Sequence, residues 1–414
     1  MKWYAQKQSF KSVIHDSNSP KVALLGNMNN NHFALARFLR DKGIDASLLL
    51  YDDQDEHFHP KCDTFGTDYM SWTRQLSWGS IRRFLSTSPS CIKEDLKPYD
   101  IIIGNGPAPA FCEKACRRLD VFVPYGADLW DLTAFNRLMA PHIIPHYWAM
   151  VYYQRKAIPR VEVFHMHENS NMFEERANHF QGNAVRWTEG LPMVYSPEYQ
   201  ESNVSEMTAR THWGHEFKRI REETDLMVVA HGRHHWGNHN DPNTKGNDRL
   251  ILGWKMFCER YEHLKCKLVL IEYGNHIQKS KKYIEDLKLE NQVVWLPKMY
   301  RKDIVPGLLM ADIVAGEFEH SWAIGGVYYE ALVAGKPLLA YRDENSHGNH
   351  KGLYQIYNAK DPEAIAQRLG EHIRNKNLGL KIGQQGKQWY EEQVVKKTID
   401  KYCDYIQSRL AGGL

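Results

Sequence analysis

Short apolar runs alternate along the chain with longer stretches whose apolar residues recur at helical spacing, and this alternation sets the expected architecture. In the first half, Val22–Gly26, Ala46–Leu50, Ile101–Gly104, Val121–Pro124 and Val161–Phe164 read as strands. From His32 to Lys42, residues Leu35, Phe38 and Leu39 share one helical face and Gly43 stops the helix. Ala110–Leu119 reads as another helix. In the second half, Leu226–His231, Leu268–Tyr273, Val293–Leu296, Asp312–Ala315 and Leu338–Tyr341 read as strands. Helices are expected over Asn247–Tyr261 and, with basic character, Lys279–Leu287. Asp361 and Pro362 open a further helix, and the final stretch reads as helical.

Strands alternating with helices, with no internal repeat or low-complexity tract, imply α/β units built on parallel sheets. The expected fold is two Rossmann-like, doubly wound domains facing across a cleft. The expected divisions are 1–205, 206–390, and a C-terminal helix at 391–414 that packs back on the first domain. Ligands of such folds bind outside the carboxyl ends of the strands. The loops Asn27–Asn31 and His231–Asn247 lie there.

The chain of 414 residues is long enough for two domains, and 43% hydrophobic content allows sizeable cores. Its 53 basic and 50 acidic residues leave a formal charge of +3, so nucleic acid is not an expected partner. No apolar run is long enough to span a bilayer, and the first residues lack the apolar core of a signal peptide. Seven scattered cysteines without a CxxC pair read as free thiols in a reducing cytoplasm. Lys2, Trp3, Tyr4, Lys7 and Lys11 offer peripheral contact with the inner face of a membrane, beside the plainer reading of a solvated terminus.

The richest chemistry lies between Ser321 and Pro337. There Ser321 and Trp322 precede the pair Gly325-Gly326, then a helix-like run carrying Glu330, then Gly335-Lys336-Pro337. Paired glycines expose backbone at a helix start, and helix N-termini favour anions such as phosphate. Glu330 is placed to accept hydrogen bonds from sugar hydroxyls. Together they suit a nucleotide-sugar, although Gly-Lys-Pro is also an ordinary helix stop. Arg233 follows one strand and Lys245 opens the next helix. The pair supplies a planar fork and a point charge for a diphosphate. Tyr273 and Met299, each just past a strand, are positioned for a nucleobase, or else belong to routine turns. Asp128, in Tyr125-Gly126-Ala127-Asp128, either orients an acceptor hydroxyl or caps a helix. The histidines, His57, His59, His165, His167, His231, His234, His235 and His239, match no metal-binding spacing and read as surface or hydrogen-bonding groups. No GxSxG, P-loop or GxGxxG pattern occurs. Asn27–Asn31, with Asn29 at its centre, stands where a dinucleotide fingerprint would.

Taken together these residues resemble the GT-B glycosyltransferases, specifically the retaining family 4 type of bacterial surface-polysaccharide pathways. Arg233 and Lys245-Gly246 look like that family's Arg and Lys-Gly pair, which implies contacts to the donor diphosphate. Gly325-Gly326 and Glu330-Ala-Leu-Val-Ala-Gly-Lys-Pro resemble its donor-binding turn and helix, which puts the donor ribose on Glu330. Tyr125–Asp128 resembles a segment of the polysaccharide members. Asn29 lies in a loop similar to the one that approaches donor phosphate and acceptor. The usual first glutamate, eight positions before the second, is Trp322 here, with Glu317 and Glu319 close by. Ser321-Trp322 resembles a branch in which backbone amides hold the donor sugar. The gap between Arg233 and Lys245 is also longer than usual.

The resemblance implies a first domain for the acceptor and a second for the donor. It implies sugar transfer, with retention, from a nucleoside diphosphate donor to a hydroxyl of a glycan or lipid-linked acceptor. No cofactor and no metal are expected, because the cations come from the protein. A nucleotide-sugar epimerase on the same fold and a non-catalytic donor-binding partner of a glycosylation complex remain open at this point.

Overall fold

The computed structural model describes residues 20–135, 139–166, 171–241, 243–347 and 352–411. Lys2, Trp3, Tyr4, Lys7, Lys11 and His167 lie outside them. Among the described residues, thirteen strands fall into two parallel sheets. The first contains β1 (Lys21–Leu25), β2 (Asp45–Leu50), β3 (Thr73–Gln75), β4 (Ile101–Gly104), β5 (Val121–Phe122), β6 (Val163–His165) and β7 (Val185–Trp187), in the order β3-β2-β1-β4-β5-β6-β7. The second contains β8 (Leu226–Ala230), β9 (Cys266–Glu272), β10 (Val293–Pro297), β11 (Ile313–Ala315), β12 (Leu338–Ala340) and β13 (Tyr357–Asn358), in the order β10-β9-β8-β11-β12-β13. Strand order reverses between β1 and β4 in one sheet and between β8 and β11 in the other. Each unit is therefore Rossmann-like, and crevices open at the carboxyl ends of those strands.

The central strands are almost wholly buried, as parallel sheets covered on both faces require; every residue of β4 and β8 is buried. The expectations missed β3, β7 and β13. All three are edge strands, short and partly solvated, so no apolar run announces them. The expected helix Ala110–Leu119 is instead Ala108–Lys114, and Cys116 beyond it turns left-handed at φ 51. The helix opened by Asp361 forms as read: the Asp361 carboxylate accepts from the amide of Ala364 at 2.9 Å, with Pro362 in the first turn.

Helices Val204–Arg210 and His212–Glu222 lead into the second unit, and the latter packs against helix Arg301–Met310. After helix Lys376–Trp389 the chain widens into a π-type turn at Tyr390–Lys396 and continues as helix Lys397–Ala411. This last helix lies on the first unit. Its Tyr402 hydroxyl meets His165 Nδ1 at 2.9 Å, Lys401 pairs with Glu189 at 2.6 Å, and Arg409 pairs with Asp120 and Glu162. One apolar cluster runs continuously across both units, from Leu24 and Trp187 to Phe217, Tyr329 and Tyr390.

Candidate functional site

The loop after β8 is braced by its own histidines. His235 bonds Asp241 at 2.7 Å and stacks on His276 at 4.7 Å. His234 bonds Ser280 at 2.9 Å, and His239 bonds Glu319 at 2.9 Å. The histidines therefore shape a long loop. Burial lowers the pKa of His234 to about 4, and burial does the same to His32 and His165. An unfolded histidine titrates near 6.5, so between about pH 6.5 and 4 the unfolded chain binds more protons. Stability contributed by these three groups is complete above that window and is lost as pH falls through it. Asp128, raised by burial to about 7, acts oppositely over the same range, as do Asp41, Asp63 and Asp120 to a smaller extent, while His57, His59 and His372, also lowered by burial, add to the three histidines. The melting temperature should fall steadily as the buffer is taken from pH 7 to pH 4. A flat profile in scanning fluorimetry would contradict the burial of these rings.

Within this braced loop Arg233 is exposed and, among the described residues, has no hydrogen bond or ion pair. Lys245 is less free. Its ammonium pairs with Glu317 at 2.8 Å, with both side chains mostly buried, which leaves other N–H donors for a ligand. The nearby carboxylates have partners: Glu317 holds Lys245, and Glu319 holds Arg249 at 2.8 Å and His239.

Facing that loop across the switch point, Gly325 caps helix Gly326–Val333, and no side chain caps its first turn. Amide donors there are left for another partner. A Cβ at Gly325 would meet only a Tyr328 ring carbon at 3.6 Å, so the space before the turn is open. Ser321 faces the other way. Its hydroxyl bonds His347 and takes the amide of Asp343, each at 2.8 Å, fixing the segment before the turn. Trp322 is half-buried, and its indole nitrogen has no partner among the described residues.

Glu330 is the centre of a buried network that the sequence did not reveal. One carboxylate oxygen bonds His231 and the other accepts from Arg301 Nε at 2.5 Å. Burial alone would raise its pKa, but Arg301 and His231 hold it at about 2. Glu330 is thus anionic and already partnered, and it can accept from a ligand only through its remaining lone pairs. Arg301 reaches into the first unit, where Nη1 donates to Asp63 at 2.8 Å and to the Met193 carbonyl at 2.9 Å. Asp63 in turn accepts from Asn30 at 3.3 Å, and Asn30 from Asn27 at 2.9 Å. Arg301 Nη2 has no hydrogen-bond partner among the described residues, and a Cβ built on Gly326 would lie 3.9 Å from it. A guanidinium donor therefore stands beside the glycine turn.

The same chain of contacts brings in the loop after β1. Asn29 and Asn30 are both left-handed, at φ 53 and 58, a conformation asparagine tolerates. Asn29 is exposed at the tip, while Asn27, Asn30 and Asn31 are buried. Beside it, a cavity of about 460 Å³ is lined by Asp55, Glu56 and His57 of the first unit and Trp213, Lys298, Met299, Tyr300 and Asp303 of the second. Met299 is in its wall, and Tyr273 lies at its edge, 6.2 Å from the His57 ring and 5.0 Å from Lys298 Nζ.

Asp128 is placed differently from the acceptor-orienting expectation. It is wholly buried, and its carboxylate accepts the amides of Tyr125, Gly126 and Gly106 at 3.0–3.2 Å. The capping reading fits this geometry: the side chain ties the turn after β5 to the turn after β4.

Arg301 and Asp63 are the residues that sequence reasoning missed, while His231, read as a surface or hydrogen-bonding histidine, hydrogen-bonds Glu330. The available signal was positional: Arg301 follows β10 and opens a helix, as Lys245 follows the β8 loop. Among the described residues no three His, Cys, Asp or Glu side chains are grouped to hold a metal, and no helix is long and apolar enough to cross a membrane.

Residues 239–389 match the family model for glycosyl transferases group 1. No curated protein matches the sequence. Among solved structures, HepE from Anabaena in complex with UDP-glucose aligns at 15% identity over 94% of this chain and 100% of that one, with a TM-score of 0.60. WaaG, a glycosyltransferase involved in lipopolysaccharide biosynthesis, aligns at 16% identity over 93% and 99%, with a TM-score of 0.55. UDP-GlcNAc 2-epimerase from Neisseria meningitidis, bound to UDP-GlcNAc, aligns at 13% identity over 93% and 100%, with a TM-score of 0.56. The fold is GT-B: two Rossmann-like domains of the arrangement seen in glycosyltransferases.

Proposed function

We propose that the protein is a glycosyltransferase that moves a sugar from a nucleoside diphosphate donor to a hydroxyl of a glycan or lipid-linked acceptor. One observation carries the reading. Arg233, without a partner among the described residues, and Lys245 lie in the loop after β8, while a free nitrogen of Arg301 stands beside the uncapped, open glycine turn that follows the neighbouring strand β11. The family match over residues 239–389 and the UDP-glucose complex of HepE support it.

The chemistry follows from charge. As the bond from the anomeric carbon to the diphosphate breaks, negative charge grows on the leaving oxygen. Preorganised donors aimed at that charge contribute roughly 3 kcal/mol each to the barrier. Arg233, Lys245 and the amides after Gly325 are those donors, so the reaction is proposed to need no metal. Glu330, kept anionic by Arg301 and His231, accepts from donor hydroxyls. The first domain, through the Asn29 loop, presents the acceptor. Asp128 holds the turn behind it rather than touching substrate. Retention of configuration is part of the proposal, carried from the family 4 resemblance. Cytoplasmic location is likewise proposed.

An epimerase is the rival that a fold neighbour favours. Incubating the protein with a panel of UDP- and GDP-sugars, with and without lipid and glycan acceptors, separates the two. Free nucleoside diphosphate and a glycosylated acceptor, formed only together and undiminished by EDTA, are expected. A free epimer formed without acceptor would overturn the transferase reading. Donor binding with no turnover on any acceptor would point to a non-catalytic partner.

A further inference from the structure

A basic, aromatic face on the first unit has no role in the site described above. Two sequence stretches, 69–93 and 132–161, contain no aspartate or glutamate, although acidic and basic residues nearly balance over the whole chain. The fold sets the two side by side. The amide of Leu85 donates to His146 at 3.1 Å, and Phe84 packs on Tyr153 at 5.5 Å. Their centre is helix Ile144–Ala157. Its inward face, Tyr147, Met150, Val151 and Gln154, is buried. Its outward face carries Pro145, Trp148, Tyr152, Arg155 and Lys156, all exposed.

Trp148 is 51% exposed and Tyr152 59%. Leu85 on one flank and Phe135 near the other are 51% and 48% exposed. Phe135 adjoins the helix because the Tyr147 hydroxyl donates to the carbonyl of Ala134 at 2.5 Å and Arg155 to that of Thr133 at 3.1 Å. Large apolar side chains grouped on a surface mark a place of contact. Cations rim this group. Arg82 is exposed and has no partner among the described residues. Arg155 donates to a carbonyl and has no carboxylate partner among the described residues. The carboxylate of Glu113, which reaches this region, is neutralised by Lys156 at 2.8 Å and Arg160 at 3.1 Å.

We infer that this face docks on a lipid bilayer carrying anionic headgroups. Tryptophan and tyrosine combine an apolar body with a polar edge and settle at the headgroup boundary. Arginine and lysine around them are drawn to negative lipid; Glu113 is paired, exposed Asp131 stands at the end of one tract, and the acid-free tracts lessen the repulsion that an evenly mixed surface would meet. A second protein would match the aromatics equally well. The long acid-free tracts favour a continuous anionic surface, which need not match individual charges. The inference stands apart from the reaction proposed above.

The test uses the full chain and vesicles of phosphatidylcholine alone or mixed equally with phosphatidylglycerol. Co-sedimentation is expected with the mixed vesicles at low salt and not with the neutral ones. At roughly 0.5 M NaCl, where screening is nearly complete at contact distances, binding should largely disappear. Trp148→Ser with Tyr152→Ser should weaken partitioning by at least about tenfold, and Arg82→Glu with Arg155→Glu by a similar factor. All four positions are exposed, so melting temperatures should stay at the parent value, and a fluorimetry scan checks this. Failure of the parent to bind mixed vesicles overturns the inference. So does binding unchanged in both double variants, which would move the contact elsewhere, for example to the basic N-terminal residues. A dimer in analytical ultracentrifugation that dissociates on Trp148→Ser with Tyr152→Ser would make the face an interface between copies, and would also overturn it.

Discussion

Replacing Arg301 with alanine is expected to lower the unfolding free energy by about 3–5 kcal/mol, the usual cost of removing one member of a buried ion-pair network. The side chain is largely enclosed and is held between Glu330, Asp63 and the Met193 carbonyl. Its loss strands two buried carboxylates, one in each unit. A domain has only about 5–15 kcal/mol in total, so the change is large. Its pH dependence carries a further signature. Burial already raises the pKa of Asp63 with Arg301 in place, and removing the guanidinium takes away the largest charge opposing burial at both carboxylates, so both pKa values should rise. Protonated, the carboxylates cease to be buried charges, so part of the lost stability should return as the pH is lowered. Arg301→Lys keeps a positive charge but loses the fork that reaches both units. It should therefore recover much of the stability while still failing to place a donor beside Gly326. Urea unfolding of the parent and both variants at pH 7 and pH 5 checks the set. A loss below about 1 kcal/mol for the alanine variant would mean that this network does not hold the two units together.

The second large effect is on ligand affinity. Arg233→Ala together with Lys245→Ala is expected to weaken UDP binding roughly a hundredfold to ten-thousandfold, because each charge-assisted contact is worth about 1.5–3 kcal/mol. The two residues should not behave alike singly. Arg233 is exposed and has no partner among the described residues, so its loss should leave the melting temperature unchanged and appear wholly in affinity and turnover. Lys245 pairs with Glu317 at 2.8 Å, so Lys245→Ala also strands a mostly buried carboxylate and should lower stability. Adding Glu317→Gln should restore stability without restoring affinity. Isothermal titration with UDP beside thermal melts separates these effects. Unchanged affinity in the double variant would remove the diphosphate from this loop.

Comparison of the sequence reading with the structure shows where local pattern suffices. The central strands around both switch points were legible because buried parallel strands are apolar throughout. The Asp361 cap was legible because its chemistry is local. Edge strands β3, β7 and β13 were not, since partly solvated strands need no apolar run. Arg233, Lys245 and the glycine turn could be placed at strand ends from the sequence because they sit at fixed offsets from readable strands. Asp128 was located but its orientation was not. A carboxylate after a glycine turn can face outward or back onto backbone amides, and burial of the surrounding turns settles it inward.

The chain's own order of residues determined the repeated strand–helix pattern, the two parallel sheets, and the positions from which charged loops emerge, because these follow from periodicity and from backbone chemistry within a few residues. Tertiary structure alone decided which distant side chains meet. Asp63, Met193, Arg301 and Glu330 lie far apart along the chain and form one connected group only after both units have folded and closed on each other. Contacts of this kind depend on the relative placement of whole elements, which no local spacing encodes.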